Sequence, residues 1–238
     1  MNDTRTARWT GAAYLALGVF GMAGYLIIRP QLHIAGDPEA TLANLQTHAL
    51  IAHVGVGLEL AIVAAQALAA LGFYALFRHD RPNAAFAVAT FGMANAAAIL
   101  ASAAMLLTAV EIADGSPSAS GGAASTVALL YSVSDSLWTV GGLFFGLWLI
   151  PMGTFVLSTR RMPRALGWVL VVGGAGYVLS TLLEAVAPST PTWLVDGLPL
   201  LATVGEFWMI GYLLIRGIRP ASPISETSRA TLPEKHSV

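Results

Sequence analysis

Residues 50–81 read LIAHVGVGLELAIVAAQALAALGFYALFRHDR, and the reading of this stretch decides the fold. From Leu50 to Phe77 the only charged side chain is Glu59, with His53 and Gln66 as the other strongly polar ones. The run exceeds the roughly 20 apolar residues that a helix needs to cross a bilayer core about 30 Å thick. Arg78 and Arg81 then mark where it leaves the hydrocarbon.

Working outward, five further stretches have the same character, giving spans at about 11–28, 50–77, 84–110, 127–157, 165–187 and 195–215. Over the 238 residues, 56% are hydrophobic and 11% are charged. A soluble domain carries about 25% charged residues, so most of this surface must face lipid. The expected fold is an all-α polytopic integral membrane protein, with six transmembrane helices in one bundle. The second and fourth runs are too long for an upright crossing, so their ends should protrude, tilt or break. Ser132, Ser134, Asp135 and Ser136 mark the expected break in the fourth.

The first run follows Arg5 and Arg8, as a secretory signal would, but it is too long for one. It ends in Arg29-Pro30 rather than in a small-residue cleavage site, so it is read as a span. Orientation follows from the basic residues. One side of the spans receives Arg5, Arg8, Arg78, Arg81, Arg160, Arg161, Arg164, Arg216, Arg219, Arg229 and Lys235. The other receives only Arg29, among Asp37, Glu39, Glu111, Asp114 and Asp196. Eleven of the twelve basic residues on one side predict that both termini are cytoplasmic. Residues 218–238 read as a disordered cytoplasmic tail, and no internal repeat is visible.

Composition also excludes chemistry. With no cysteine there are no disulfides, thiolate metal sites or cysteine nucleophiles. No basic patch supports nucleic-acid binding. No nucleotide-binding glycine motif stands in a suitable context, so no cofactor is expected. His48 and His53 are five residues apart, about 140° around a helix, so they do not present a metal to one face and no metal site is expected.

The candidate site comes from depth. At 1.5 Å per residue, Glu206 lies about 15 Å above Arg216, near the midplane. Gln66 and Asn95 come out at about 18 Å on two other spans. Glu59, Asp135 and Glu184 lie roughly 28 to 37 Å up, near the outer boundary, with His48 higher still. Helical phase puts His48, Glu59 and Gln66 on one stripe of the second span. Gly92, Asn95 and Ser102 share a stripe on the third, and Asp135, Trp138 and Gly142 on the fourth. Gly173, Gly176, Ser180 and Glu184 do so on the fifth, and Pro199, Thr203 and Glu206 on the sixth. Such stripes face the bundle interior, although glycine and serine rows also serve close helix packing. The expectation is an outward-open polar vestibule narrowing to Glu206, with Trp138 and Trp148 as aromatic walls.

Some local motifs carry a resemblance. Arg8-x-x-Gly11-x-x-Tyr14, the loop Gly36-Asp37-Pro38-Glu39-Ala40-Thr41-Leu42-Ala43-Asn44 and Phe144-Phe145-Gly146 occur in order. Pro163-Arg164-x-Leu166-Gly167, Gly176-Tyr177 and Glu206 follow. Together they resemble the bacterial domain of unknown function 4386 family over residues 8–217. The resemblance implies a multi-span protein of the bacterial cytoplasmic membrane and brings no activity with it.

Three functions fit these residues. The first is a membrane-embedded enzyme doing acid–base chemistry on a lipophilic, lipid-like or isoprenoid-like molecule. Glu206, Asp135 and Glu59 would be its catalytic carboxylates. Gln66, Asn95, Trp138, Trp148, Glu184, His48 and Ser102 would line the substrate site. The second is a proton-coupled transporter of small molecules, which at six spans would require an oligomer. The third is a non-catalytic protein that binds membrane lipids or another lipophilic molecule.

Overall fold

A computed structural model describes residues 3–115, 122–187 and 189–220. Residues 221–238 of the expected tail, and 116–121 of the loop before the fourth span, lie outside the described residues. Among the described residues every regular element is helical, and six helices are long and apolar enough to cross a membrane. They are Asp3–Leu32, Ala49–Phe77, Pro82–Ala113, Ala123–Thr159, Arg164–Val186 and Thr192–Ile215. This is the architecture of a multi-span membrane protein.

The six form a closed ring in chain order, each packed on its sequence neighbours and the sixth returning to the first. Short connections between long helices make such neighbours antiparallel. Arg5, Arg8, Arg78, Arg81, Arg160, Arg161, Arg164 and Arg216 therefore gather at one end, here called the basic end. The opposite, acidic end is covered by a short helix, Pro38–Thr47, which packs on the fourth span. Asp37 caps that helix by accepting a hydrogen bond from the Ala40 amide at 2.9 Å, and Pro38 opens it.

Two local features depart from the expected spans. The first helix does not end at Ile28. A π-helical segment, Met22–Ile28, leads into a further turn, Arg29–Leu32, which keeps Arg29 inside the protein. The fourth helix, Ala123–Thr159, does not break at its serine shoulder. Ser132 and Ser136 donate to carbonyls one turn back on their own helix, and Ser134 and Asp135 are held by Arg29, so no group there is left unpaired.

Packing of the spans relies on small residues. A Cβ built on Gly153 would sit 2.6 Å from the Gly167 carbonyl oxygen, and one on Gly173 would sit 2.6 Å from the Ala202 backbone. The fifth span can therefore approach the fourth and the sixth closely only where side chains are missing. Two apolar clusters result. The larger fills the ring toward the basic end around Tyr14, Phe73, Phe77, Trp148 and Phe155. The smaller lies toward the acidic end around Leu45, Val56, Val110, Val127 and Tyr131.

At the basic end Arg161 ties three segments together. It donates at 2.6 Å to Asp3, to Asp80 and to the Arg219 carbonyl. Partial burial alone would lower its pKa, but the bonds and charges of the two carboxylates outweigh that and raise it.

Candidate functional site

Between the two apolar clusters lies a layer of charge centred on Arg29. Its guanidinium meets Asp135 at 2.8 Å and Glu59 at 3.4 Å, and donates to the Ser134 hydroxyl at 2.8 Å. It also lies 5.5 Å from the centre of the Tyr131 ring and 5.6 Å from that of Tyr25. Glu59, only 4% exposed, accepts from Ser102 at 2.8 Å and from the Trp138 indole at 3.1 Å. The Ser102 and Ser134 hydroxyls pair at 2.7 Å. Side chains from the first four spans thus close one network.

The layer is asymmetric. Glu59 is sealed, whereas the Asp135 side chain is 38% exposed and also faces His33 at 3.6 Å. His33 stacks on Tyr131 with ring centres 4.8 Å apart. Burial lowers the His33 pKa; Asp135 opposes this, Arg29 reinforces it, and the net direction is down. Two carboxyl groups thus share one guanidinium. An apolar environment on both sides makes that network expensive to disturb.

A groove of about 480 Å³ opens beside the layer, between the first span and the fifth and sixth. Trp138 links the two, its indole nitrogen bonded to Glu59 while the residue lines the groove. Tyr25 and Tyr177 supply the other aromatic walls, and the exposed carboxylates Glu184 and Asp196 stand on the rim. At Gly21, Trp138, Gly142 and Tyr177 the groove meets a deeper cavity of about 150 Å³. Leu17, Ile62, Ile99, Phe145 and Asn95 line that cavity. The surface therefore runs from an acidic rim, past aromatic rings, to an apolar floor with one amide.

This geometry redistributes the residues read from sequence. Glu59, Ser102, Asp135 and Trp138 converge on the arginine layer. Glu184 joins the groove rim. Asn95 lines the deeper cavity and bonds Gln66 across 3.5 Å; Gln66 is fully buried, and its amide nitrogen has no partner among the described residues. Glu206 lies close to Tyr177 but lines neither the groove nor the deeper cavity. It accepts a 2.5 Å hydrogen bond from the Tyr14 hydroxyl. The groove and the deeper cavity therefore stop short of the expected floor at Glu206. The sixth span packs on the fifth and the first, so a side chain pointing inward from it meets Tyr14 rather than Glu59. Trp148 shares that corner, its ring centre 5.2 Å from that of Tyr14 and its residue fully buried in the ring of helices.

Four more positions differ from the expected stripes. His48 sits at the junction of the short helix and the second span, exposed, against the Asn44 carbonyl at 3.2 Å. A helical phase drawn through it fails because the helix begins one residue later. Thr203 is exposed and bonds the Pro199 carbonyl of its own helix. The glycine row Gly173 and Gly176 faces the sixth span as packing surface rather than the vestibule.

Arg29 is the residue that sequence reasoning missed, together with its companions Tyr131, Ser134 and His33. The signal was available. Three carboxylates at outer depth, Glu59, Asp135 and Glu184, with a single arginine on that side are the mark of a paired set. Among the described residues no three histidine or carboxylate side chains are grouped to hold a metal ion.

No curated protein and no solved structure matches the chain. A family model does match, over residues 9–217, and it spans all six helices and every residue of the layer and the groove. The chain belongs to the family described as Domain of unknown function (DUF4386).

Proposed function

We propose that this protein resides in a bacterial cytoplasmic membrane, with its basic end and both termini in the cytoplasm, and binds a lipophilic small molecule in the groove. The placement of basic residues supports that orientation. One observation carries the binding reading: the groove and the deeper cavity share Gly21, Trp138, Gly142 and Tyr177. A ligand could lay a polar head against the Glu184 and Asp196 rim and an apolar body among Leu17, Ile62, Ile99 and Phe145. Pockets of this kind, mostly apolar with a few placed polar groups, are the usual form of a small-molecule site.

Native mass spectrometry of gently purified protein tests this directly. Wild type should carry a lipid-like molecule that Gly21→Trp lacks. Gly21 borders both cavities, and a Cβ there meets nothing within 4 Å, so the new ring can occupy the passage without a backbone clash. A wild type free of any bound molecule, or a Gly21→Trp variant that retains it, would sink the reading.

Acid–base turnover of the bound molecule is the second reading, favoured by the half-open pair Asp135 and His33 near Tyr25. In this version Asp135 is the catalytic carboxylate and Glu59, locked by three donors, positions it through Arg29. Asp135→Asn would then retain the ligand and stop its conversion. Transport is less well supported, because Tyr14, Phe73, Phe77, Trp148 and Phe155 fill the ring toward the basic end.

A further inference from the structure

At the basic end a second hollow, of about 560 Å³, lies between the first and sixth spans, far from the groove. Arg5, Arg8, Trp9 and Ala12 line it from the first span, at the i, i+3, i+4 and i+7 positions of one helix face. Leu214 lines it from the sixth. The inner wall is sealed where Gly11 packs on Leu213 and Leu214.

The charges here are uncompensated for a visible reason. Asp3, the acid nearest in sequence, is taken by Arg161 at 2.6 Å. Arg5 and Arg8 are exposed and form no ion pair among the described residues. Depth orders the rest. Ala12 lies about 10 Å further along the helix than Arg5, and Trp9, 69% exposed, falls between them. From the end inward the wall offers two guanidiniums, an interfacial indole and an apolar slot. A phospholipid presents its groups in the same order, as phosphate, ester region and acyl chain.

We propose that this hollow binds one anionic phospholipid, its phosphate held by Arg5 and Arg8, its ester region against Trp9 and an acyl chain along Ala12 and Leu214. Arginine suits the task because its planar fork meets phosphate oxygens bidentately. Basic pockets between spans at this level are a general means of holding anionic headgroups. The site is independent of the groove and of whatever the groove binds.

The experiment is native mass spectrometry of the full chain in detergent, titrated with phosphatidylglycerol or phosphatidylcholine. Wild type should retain phosphatidylglycerol in preference, with one molecule held through the highest activation. Arg5→Gln/Arg8→Gln should weaken retention at least about tenfold, since each arginine near a charged headgroup supplies several-fold. Arg78→Gln/Arg164→Gln removes the same net charge elsewhere at this end and should keep the preference. Ala12→Trp leaves the charges in place but fills the slot, and should also release the lipid. Equal losses in the two double variants would mean that diffuse charge, not a site, attracts the lipid, and would overturn the proposal. So would a wild type with no preference, or an Ala12→Trp variant that binds as well as wild type.

Discussion

The two ends of the helix ring are held together by different physics. Toward the basic end the interior is a close-packed stack of rings, with Phe77 and Phe155 only 3.6 Å apart between centres and Tyr14 edge-on to Phe73 and Trp148. Toward the acidic end the interior is crossed by Arg29, Glu59 and Asp135. Dispersion between rings is insensitive to pH and tolerates small losses. A buried ion network does not, because removing one member strands the charge of another. The groove opens beside the network rather than the stack. A layer built of charge must stay spatially constrained, and it leaves its less buried member, Asp135, at the edge of an accessible surface.

The sharpest way to break this comparison is to remove the cation. Arg29→Met leaves Glu59 and Asp135 without a counter-ion and should destabilise the protein by about 3–5 kcal/mol, read as loss of folded protein in denaturant titration of detergent-purified material. A loss below about 1 kcal/mol would mean that the layer contributes no more than a surface pair. At the other end, Gly153→Ala places a methyl against the Gly167 carbonyl and should cost about 1–3 kcal/mol through overpacking. Because no charge is involved, that cost should be the same at pH 5.5 and pH 7.5. A pH-dependent cost would show that the ends are coupled.

Smaller effects follow from the half-open member. Asp135→Asn should cost about 1 kcal/mol or less, since 38% exposure lets water take over part of the lost pairing. A loss approaching that of Arg29→Met would place Asp135 with Glu59 as a sealed member. The smallest effect is the titration of His33. Its pKa is lowered in the folded protein, so the unfolded chain binds more protons between the two values. The contribution is present above the ordinary imidazole value of about 6.5 and fades as pH falls through the lowered one. His33→Gln should flatten the stability profile below about pH 6.5, and a profile unchanged by the substitution would remove His33 from the layer.

The sequence was legible where one-dimensional quantities suffice. Six apolar runs, the arginines between them and the approximate depth of Glu59, Asn95 and Asp135 are all functions of position along the chain. Glu59, Ser102, Asp135 and Trp138 share one layer because each lies on the ring-facing stripe of a helix whose phase does not drift. The departures have three local causes. Arg29 falls just past the expected end of the first span because an apolar run followed by Arg-Pro reads as a helix end, whereas the π-helical segment carries the helix one turn further. His48 was given a phase beyond the start of its helix. Glu206 was placed with Gln66 and Asn95 because they share a height, and height says nothing of azimuth.

By itself, then, the chain determined that it makes six long helices, which ends of them gather the basic residues and how deep its carboxylates lie. Hydrophobic run length and charge placement act locally against a planar solvent, so they need no knowledge of neighbours. Which side chains meet was decided only by the ring order of the helices. That order gave Glu59 an arginine, gave Glu206 a tyrosine, and left a groove beside Trp138 where the first span stands apart from the fifth. Contacts between residues 29 and 135, or 14 and 206, depend on how six cylinders pack at glycine seams, and only the tertiary structure fixes that.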